Sequence, residues 1–228
     1  MRSEIHNSLM NRRGFARTAS GVLLATGAAP LFAAPPSSSG VRKELIVYGA
    51  TPHNAEPARQ HLVKSWITPL KHFYVRSHAP VPKIDADQFV LSVEGLVRKP
   101  LQITLGELKE KFAKRTIVAT MTCAGNRRSE HSLVEEVSGV QWSDGAIGNA
   151  RWGGVVLAEL LKKAGVKENA KHVWFEGLDQ VKRKGNIIPF GASIPMDKAL
   201  ANSAAMPGTL LAHEMNGQPL LPDHGFPL

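Results

Sequence analysis

Short strand patterns and short helix patterns follow one another after residue 44 without a regular strand–helix–strand rhythm. Alternating apolar or β-branched residues predict strands at residues 44–48, 89–95, 116–121, 172–175 and 210–215. Helices are predicted at residues 104–112, 155–164 and 195–200. A doubly wound parallel sheet would need strands and helices in strict alternation, so the chain is expected to have an α+β fold.

Local end signals support several of these elements. Thr104 and Glu107 form a capping-box pattern, and Gly165 is placed to end the helix at 155–164. Asn216-Gly217 predicts a tight turn. Residues 54–66 are also read as a helix, which Thr68-Pro69 would end.

The first residues have the composition of an export signal. Arg12-Arg13 precedes a mildly apolar, Gly/Ala-rich run, which is typical of the twin-arginine route to the periplasm. We therefore expect an export signal at residues 1–34, a linker at 35–44 and one domain at 45–228. The alternative is an N-terminal membrane anchor, which the short and diluted apolar run disfavours.

The charge balance favours an anionic partner over nucleic acid. The net charge is +9, which suits an anionic substrate or an acidic protein. The basic residues are dispersed, with no run of five and no interleaved aromatic residues, so a nucleic-acid-binding function is the weaker reading.

Cys123 is the single cysteine of the chain and follows the predicted strand at 116–121. It cannot form a disulfide within its own chain, and Gly125 and the arginine pair beside it would favour a reactive thiolate. The residues alone leave three possibilities open: a soft metal ligand, a nucleophile or an inert buried thiol. A zinc site at the cysteine is disfavoured, because a second cysteine is absent from the sequence and the histidines lack ligand spacing.

Several polar residues outside the cysteine segment could bind anions. Arg76, Arg128 and Arg151 lie among apolar or small residues, although each could instead form a structural ion pair. His78 and His224 occur in Pro/Gly-rich segments and could bind phosphate or simply be exposed. At least one of the tryptophans Trp142 and Trp152 is expected in the core.

The segment Cys123-Ala124-Gly125-Asn126-Arg127-Arg128 resembles the signature around the metal-binding cysteine of the sulfite oxidase family of molybdenum enzymes. Further family motifs occur in the same order over roughly residues 45–228, namely 73–78, 145–152, 175–179, 191–195, 214–220 and 223–227. Several motifs in order make the resemblance much more specific than any one of them.

The resemblance implies an α+β molybdopterin-binding domain with a molybdenum–molybdopterin cofactor. Cys123 would be the protein ligand to molybdenum, and a soft thiolate suits that metal. The residues implied to hold the cofactor are Tyr74, Arg76, His78, Asp179 and His224. Those implied to form an anion pocket for the substrate are Arg76, Arg128 and Trp142, whereas Arg127 is expected to be structural.

The implied activity is oxidation of sulfite to sulfate, with electrons passed to an external acceptor such as a c-type cytochrome. A reductase of oxidised sulfur, of the methionine sulfoxide type, and a non-catalytic cofactor- or anion-binding protein are the alternatives. Family members continue with an immunoglobulin-like dimerisation domain. The chain is therefore expected to be incomplete at its C-terminal end, and a homodimer is expected only where that domain is present.

Overall fold

The computed structural model describes residues 10–11, 44–203 and 208–228. Its strands are β1 (Met10–Asn11), β2 (Leu45–Ala50), β3 (His53–Pro57), β4 (Val75–Arg76), β5 (Val90–Val93), β6 (Leu101–Thr104), β7 (Lys114–Thr122), β8 (Ile147–Val156), β9 (His172–Arg183), β10 (Asn186–Pro195), β11 (Leu210–Met215) and β12 (Gln218–Pro219). Its helices are α1 (Arg59–Leu62), α2 (Leu105–Lys111), α3 (Arg128–His131), α4 (Leu157–Ala164) and α5 (Met196–Leu200), with short 3-10 helices at Leu70–His72 and Pro222–His224.

The strands form three sheets. The largest has the order β10-β9-β1-β5-β6, the second β12-β11-β8-β7 and the third β2-β3-β4. Pairing is antiparallel except between β1 and β9. Mixed sheets with a few short helices confirm the predicted α+β class.

The main core lies between the first sheet and the helices α2 and α4. Helix α4 buries one face, and it ends at Gly165, whose φ of 68° completes the predicted cap. Helix α2 begins with the predicted capping box of Thr104 and Glu107. The most buried members of this core include Leu91, Val93, Leu108, Leu157, Leu160, Leu161 and Val173.

The predicted helix at residues 54–66 is wrong over its first part. Residues His53–Pro57 form β3, and only Arg59–Leu62 are helical. Strand β3 pairs with β2 on one side and β4 on the other, so the tertiary pairing overrides the local helical pattern. This difference matters for the site, because β3 carries a buried carboxylate described below.

Most of the predicted export signal and linker lies outside the described residues. Of residues 1–43, the structure describes only Met10 and Asn11, which form β1. Among residues 44–203 and 208–228, no helix has the length and apolar character needed to cross a membrane.

Candidate active site

Cys123 lies at the corner where β7 ends, as the sequence predicts. Its backbone N–H donates to Ala146 O at 2.9 Å, and its carbonyl accepts from Asn126 N at 2.9 Å, which closes a tight turn. The half-buried sulfur accepts a weak hydrogen bond from Gly125 N at 3.4 Å. A backbone donor on the sulfur stabilises negative charge there, as a thiolate ligand requires.

The cysteine turn is held against the loop that leads into β8. Arg127 N donates to Ser143 O at 2.6 Å, and Ser129 N donates to Trp142 O at 3.1 Å. The side chain of Asn126 accepts from Ala146 N at 3.0 Å. The position of Cys123 therefore depends on the loop at residues 142–146.

Glu56 holds the loop at residues 142–146 through hydrogen bonds. This residue was not identified in the sequence analysis. Its side chain is 0% exposed on β3 and accepts from Tyr48 Oη at 2.5 Å, Ser143 N at 2.8 Å and Gly145 N at 3.1 Å. Three donors offset the cost of burying the carboxylate. One sequence signal pointed to a strand here: Pro57 biases the residue before it away from helical geometry.

The two arginines after the cysteine have different environments. Arg127 is exposed, has a left-handed backbone with φ of 65° and forms an ion pair with Glu130. Arg128 is half-buried, and its Nη1 donates to Val140 O at 2.8 Å. A Cβ at Gly125 would lie 2.5 Å from Arg128 Nη2, and one at Gly139 would lie 3.0 Å from its Nη1. The guanidinium thus fits between two glycines.

Trp142 is fully buried in a second core cluster, against which Cys123 packs. Its ring meets Tyr48 edge-on with centroids 5.2 Å apart, and its Nε1 has no hydrogen-bond partner among the described residues. One tryptophan is therefore in the core, as expected. A direct contact of Trp142 with substrate stays a prediction, because the structure gives the ring a packing position behind the cysteine.

Tyr74 belongs to the same cluster, which brings it close to the thiol. Burial, with a smaller contribution from the negative charge of Cys123, raises the pKa of Tyr74 to about 12. The phenol is therefore protonated at neutral pH and can donate a hydrogen bond. The residue also connects to the C-terminal part of the chain, because its carbonyl lies 2.9 Å from His224 Nε2.

Arg76, the last residue of β4, and His78, two residues further on, line a cleft. Arg76 Nη1 donates to Asn54 Oδ1 at 3.3 Å, and its Nη2 lies 3.0 Å from His78 Nε2. Burial and the charges of Arg76 and Arg183 lower the pKa of His78, whose ring stacks on Phe190 with centroids 4.7 Å apart. The imidazole is thus neutral at pH 7.

The cleft has a volume of about 160 Å³. Its polar lining includes Arg76, His78, Asp179 and Asp223, and Asp223 also lies 3.5 Å from His53 Nδ1. Phe226 lines the cleft, and both Phe226 and Cys123 pack against the second core cluster. Of the residues predicted to hold the cofactor, Arg76, His78 and Asp179 therefore line the cleft, whereas Tyr74 belongs to the core cluster and His224 is not among the lining residues.

The model of the family described as the oxidoreductase molybdopterin binding domain matches residues 78–228. The chain belongs to this family. The predicted family resemblance and fold are thus confirmed, and the cofactor class is that of the molybdopterin-binding domain.

Relatives of this molybdopterin-binding domain include sulfite oxidases. Sulfite oxidase of Gallus gallus is 42% identical over 202 residues, which make up 87% of this chain and 42% of that protein. Mitochondrial sulfite oxidase of Rattus norvegicus is 43% identical over 204 residues, which make up 87% of this chain and 36% of that protein. The chain thus spans less than half of these relatives.

A solved structure has the same fold. The crystal structure of the sulfane dehydrogenase SoxCD from Paracoccus pantotrophus matches with a TM-score of 0.64 and 28% sequence identity. The match covers 91% of this chain and 50% of that chain. The similarity therefore extends over nearly the whole of this chain.

The residues present fit the cofactor. Cys123 offers one soft thiolate whose charge a backbone N–H stabilises, and a pterin dithiolene would supply the other sulfur ligands. In the cleft, Asp179 can accept from the N–H groups of a pterin, whereas Arg76 can bind the oxygens of a phosphate. Cationic and anionic side chains on one cleft match a ligand that carries both donors and a phosphate.

Proposed function

We propose that this domain catalyses the molybdenum-dependent oxidation of sulfite to sulfate and passes the electrons to a separate acceptor. The observation that carries the proposal is the pairing of Cys123, at a strand end with a backbone N–H on its sulfur, with Arg128 turned inward beside it. The thiolate can bind a metal, and the fixed guanidinium on the same turn can bind a small oxyanion next to it. The identity to sulfite oxidases supports the choice of substrate.

The balanced reaction combines sulfite with water to give sulfate, two protons and two electrons. When bound, the molybdenum cofactor would supply the oxygen-transfer chemistry and store the electron pair. The part of this chain is to hold and orient the reactants. Arg128 and Arg76 would attract the oxyanion, since each guanidinium can donate two parallel hydrogen bonds.

Tyr74 would act as a hydrogen-bond donor in the pocket. Its pKa of about 12 keeps the phenol protonated, so it can bind an oxyanion but cannot accept the released protons. Trp142 would form the apolar wall behind Cys123 and limit the access of water from that side. Asp179 and His78 would hold the cofactor from the cleft. His224, whose Nε2 lies 2.9 Å from Tyr74 O, would hold it beside Tyr74.

The proposal includes export and the electron acceptor. The Arg12-Arg13 pattern supports transport through the twin-arginine route to the periplasm. A c-type cytochrome is the acceptor expected in that compartment.

The test is sulfite-dependent reduction of ferricyanide or cytochrome c by the purified chain, with its molybdenum content measured in parallel. The variant Cys123→Ser should lose molybdenum and turnover, while its free energy of unfolding changes by less than about 1 kcal/mol, because the side chain is half-buried and nearly isosteric. The neighbouring variant Thr122→Ser is the matched control and should keep both.

Two results would overturn the proposal. One is full activity in Cys123→Ser. The other is a molybdenum-loaded protein that reduces methionine sulfoxide with a reduced dye but does not oxidise sulfite.

A further inference from the structure

A second group of ligand-type side chains lies outside the proposed active site. Glu44 immediately precedes β2, His61 is on α1, and His72 ends the 3-10 helix at Leu70–His72. None of the three lines the cleft described above. They are far apart in the sequence, which is why no ligand spacing is visible there.

The three side chains converge on one point. His72 Nε2 lies 2.5 Å from Glu44 Oε2, and His61 Nδ1 lies 3.9 Å from the same oxygen. One ligand atom from each residue lies within 4.8 Å of the others. The two imidazole rings face each other with centroids 4.1 Å apart and planes tilted by 32°.

One of these buried ligand atoms makes no hydrogen bond within the described part of the chain. The side chains of His72 and His61 are 7% and 16% exposed, respectively. His61 Nδ1 is shielded from solvent and has no hydrogen-bond partner among the described residues. An unsatisfied buried ring nitrogen costs free energy unless something binds to it. A metal ion between the three residues would satisfy this nitrogen.

We propose that Glu44, His61 and His72 bind one divalent transition-metal ion, for which zinc is the best match. Two imidazole nitrogens and one carboxylate oxygen form a ligand set that zinc accepts, with water as the fourth ligand. In a tetrahedral zinc site with bonds of about 2 Å, neighbouring ligand atoms lie about 3.3 Å apart. The observed separations of 2.5 and 3.9 Å bracket that value.

The adjustment needed falls on Glu44, the most exposed of the three residues. Glu44 is 48% exposed, so its carboxylate can move outward to admit the ion while the two histidines stay in place. Lys71 Nζ contacts the other oxygen, Oε1, at 3.1 Å, which leaves Oε2 directed between the imidazoles. The positive charges of Lys71 and the nearby Lys64 oppose a cation and limit its affinity.

The ion would have a structural role. It would tie the start of β2 to α1 and to the 3-10 helix that leads into Tyr74 and β4. Metal binding to preformed ligands stabilises the folded chain, because the site does not exist in the unfolded state. The site is independent of the proposed sulfite chemistry.

The experiment is calorimetric titration of zinc chloride into the full chain carrying its cofactor, after treatment with a chelator. Wild-type protein should bind one zinc ion per chain, and its melting temperature should rise with zinc. His61→Ala and Glu44→Gln should each weaken binding by at least about tenfold and abolish the rise, while sulfite oxidation is unchanged. His72 is left intact because its replacement in the core could prevent folding.

Two controls exclude other ligands. His172→Ala removes an exposed histidine on β9 and should bind zinc like wild type. Cys123→Ser, which is expected to lose molybdenum, should also keep the single zinc site, because Cys123 is not one of its ligands. Unchanged binding in His61→Ala and Glu44→Gln, or loss of binding in Cys123→Ser, would overturn the proposal.

Discussion

Replacing the buried carboxylate of Glu56 by an amide tests how the cysteine turn is supported. In Glu56→Gln the shape of the side chain is kept, but one of its two oxygens becomes an NH₂ group. Oε1 accepts from Tyr48 Oη and Ser143 N, and Oε2 accepts from Gly145 N. In either orientation of the amide, its nitrogen therefore faces at least one buried donor.

The expected loss of stability in Glu56→Gln follows from these contacts. A hydrogen bond to a charged group contributes about 1.5–3 kcal/mol, and stranding a buried donor costs about 1–3 kcal/mol. The lost hydrogen-bond energy and the cost of the stranded donor partly count the same interaction, so they are not simply added. We therefore expect Glu56→Gln to destabilise the fold by about 2–4 kcal/mol. Tyr48→Phe is the matched control. It removes a donor to the same oxygen, and Ser143 N, which also donates to Tyr48 Oη at 3.2 Å, keeps its hydrogen bond to Glu56 Oε1. Tyr48→Phe should therefore cost only about 0.5–1.5 kcal/mol.

The assay is equilibrium denaturation with urea, with the free energy of unfolding taken from the midpoint and slope. A second readout is the rate at which a thiol reagent labels Cys123 in cofactor-free protein. That rate should rise in Glu56→Gln, because the cysteine turn is bonded to the loop that Glu56 holds. The reasoning fails if Glu56→Gln is no less stable than Tyr48→Phe, or if labelling of Cys123 is unaffected.

Three further substitutions have distinct expected outcomes. Gly125→Ala should displace the Arg128 guanidinium and raise KM for sulfite, with a cost in stability below about 1 kcal/mol because the displaced group is a flexible side-chain end; an unchanged KM would contradict this. Hydrogen bonds from Lys111 and from the Thr104 backbone N–H lower the pKa of Glu107 from 4.5 to about 2. The stabilisation provided by the ionised carboxylate is therefore complete above pH 4.5 and is lost as pH falls towards 2. Denaturation at several pH values should therefore show Glu107→Gln less stable than wild type at pH 7 and nearly equal to it near pH 2, whereas a constant difference would argue against the ion pair. Gly217→Ala should lower the free energy of unfolding by about 1–2 kcal/mol in the same denaturation assay, because φ is +78° at this position. The added methyl group would meet no atom within 4 Å, so the cost would come from the backbone conformation alone. An unchanged stability would refute this explanation.

Local signals in the sequence predicted a large part of the fold. The capping box at Thr104, the strand that delivers Cys123 and the Asn216-Gly217 turn are all present. Each of these three features depends on residues within a few positions of one another, so a short stretch of sequence is enough to predict it. The class of cofactor was likewise predictable, because the motif around Cys123 is continuous.

The support of the site was not predictable in the same way. Glu56 was assigned to a helix, where it would have been an ordinary surface acid, but pairing with β2 and β4 makes its segment a buried strand. Its three donors come from positions 48, 143 and 145, so no local window shows that the carboxylate is satisfied. The convergence of His61 and His72 on Glu44 likewise depends on tertiary contacts.

The fit of Arg128 between two glycines makes the tolerance of these positions to substitution interdependent. The three atoms nearest to a Cβ at position 125 all belong to the Arg128 guanidinium, so shortening residue 128 should make larger residues more acceptable there. This would be positive epistasis between two positions of one motif. Position 139 behaves differently, because Gly139 also has a φ of +108°, which side-chain-bearing residues rarely adopt. A second substitution at 128 can therefore relieve the constraint at 125 but leaves the one at 139 in place. A combinatorial library over the three positions should recover variants that retain glycine at 139 far more often than at 125.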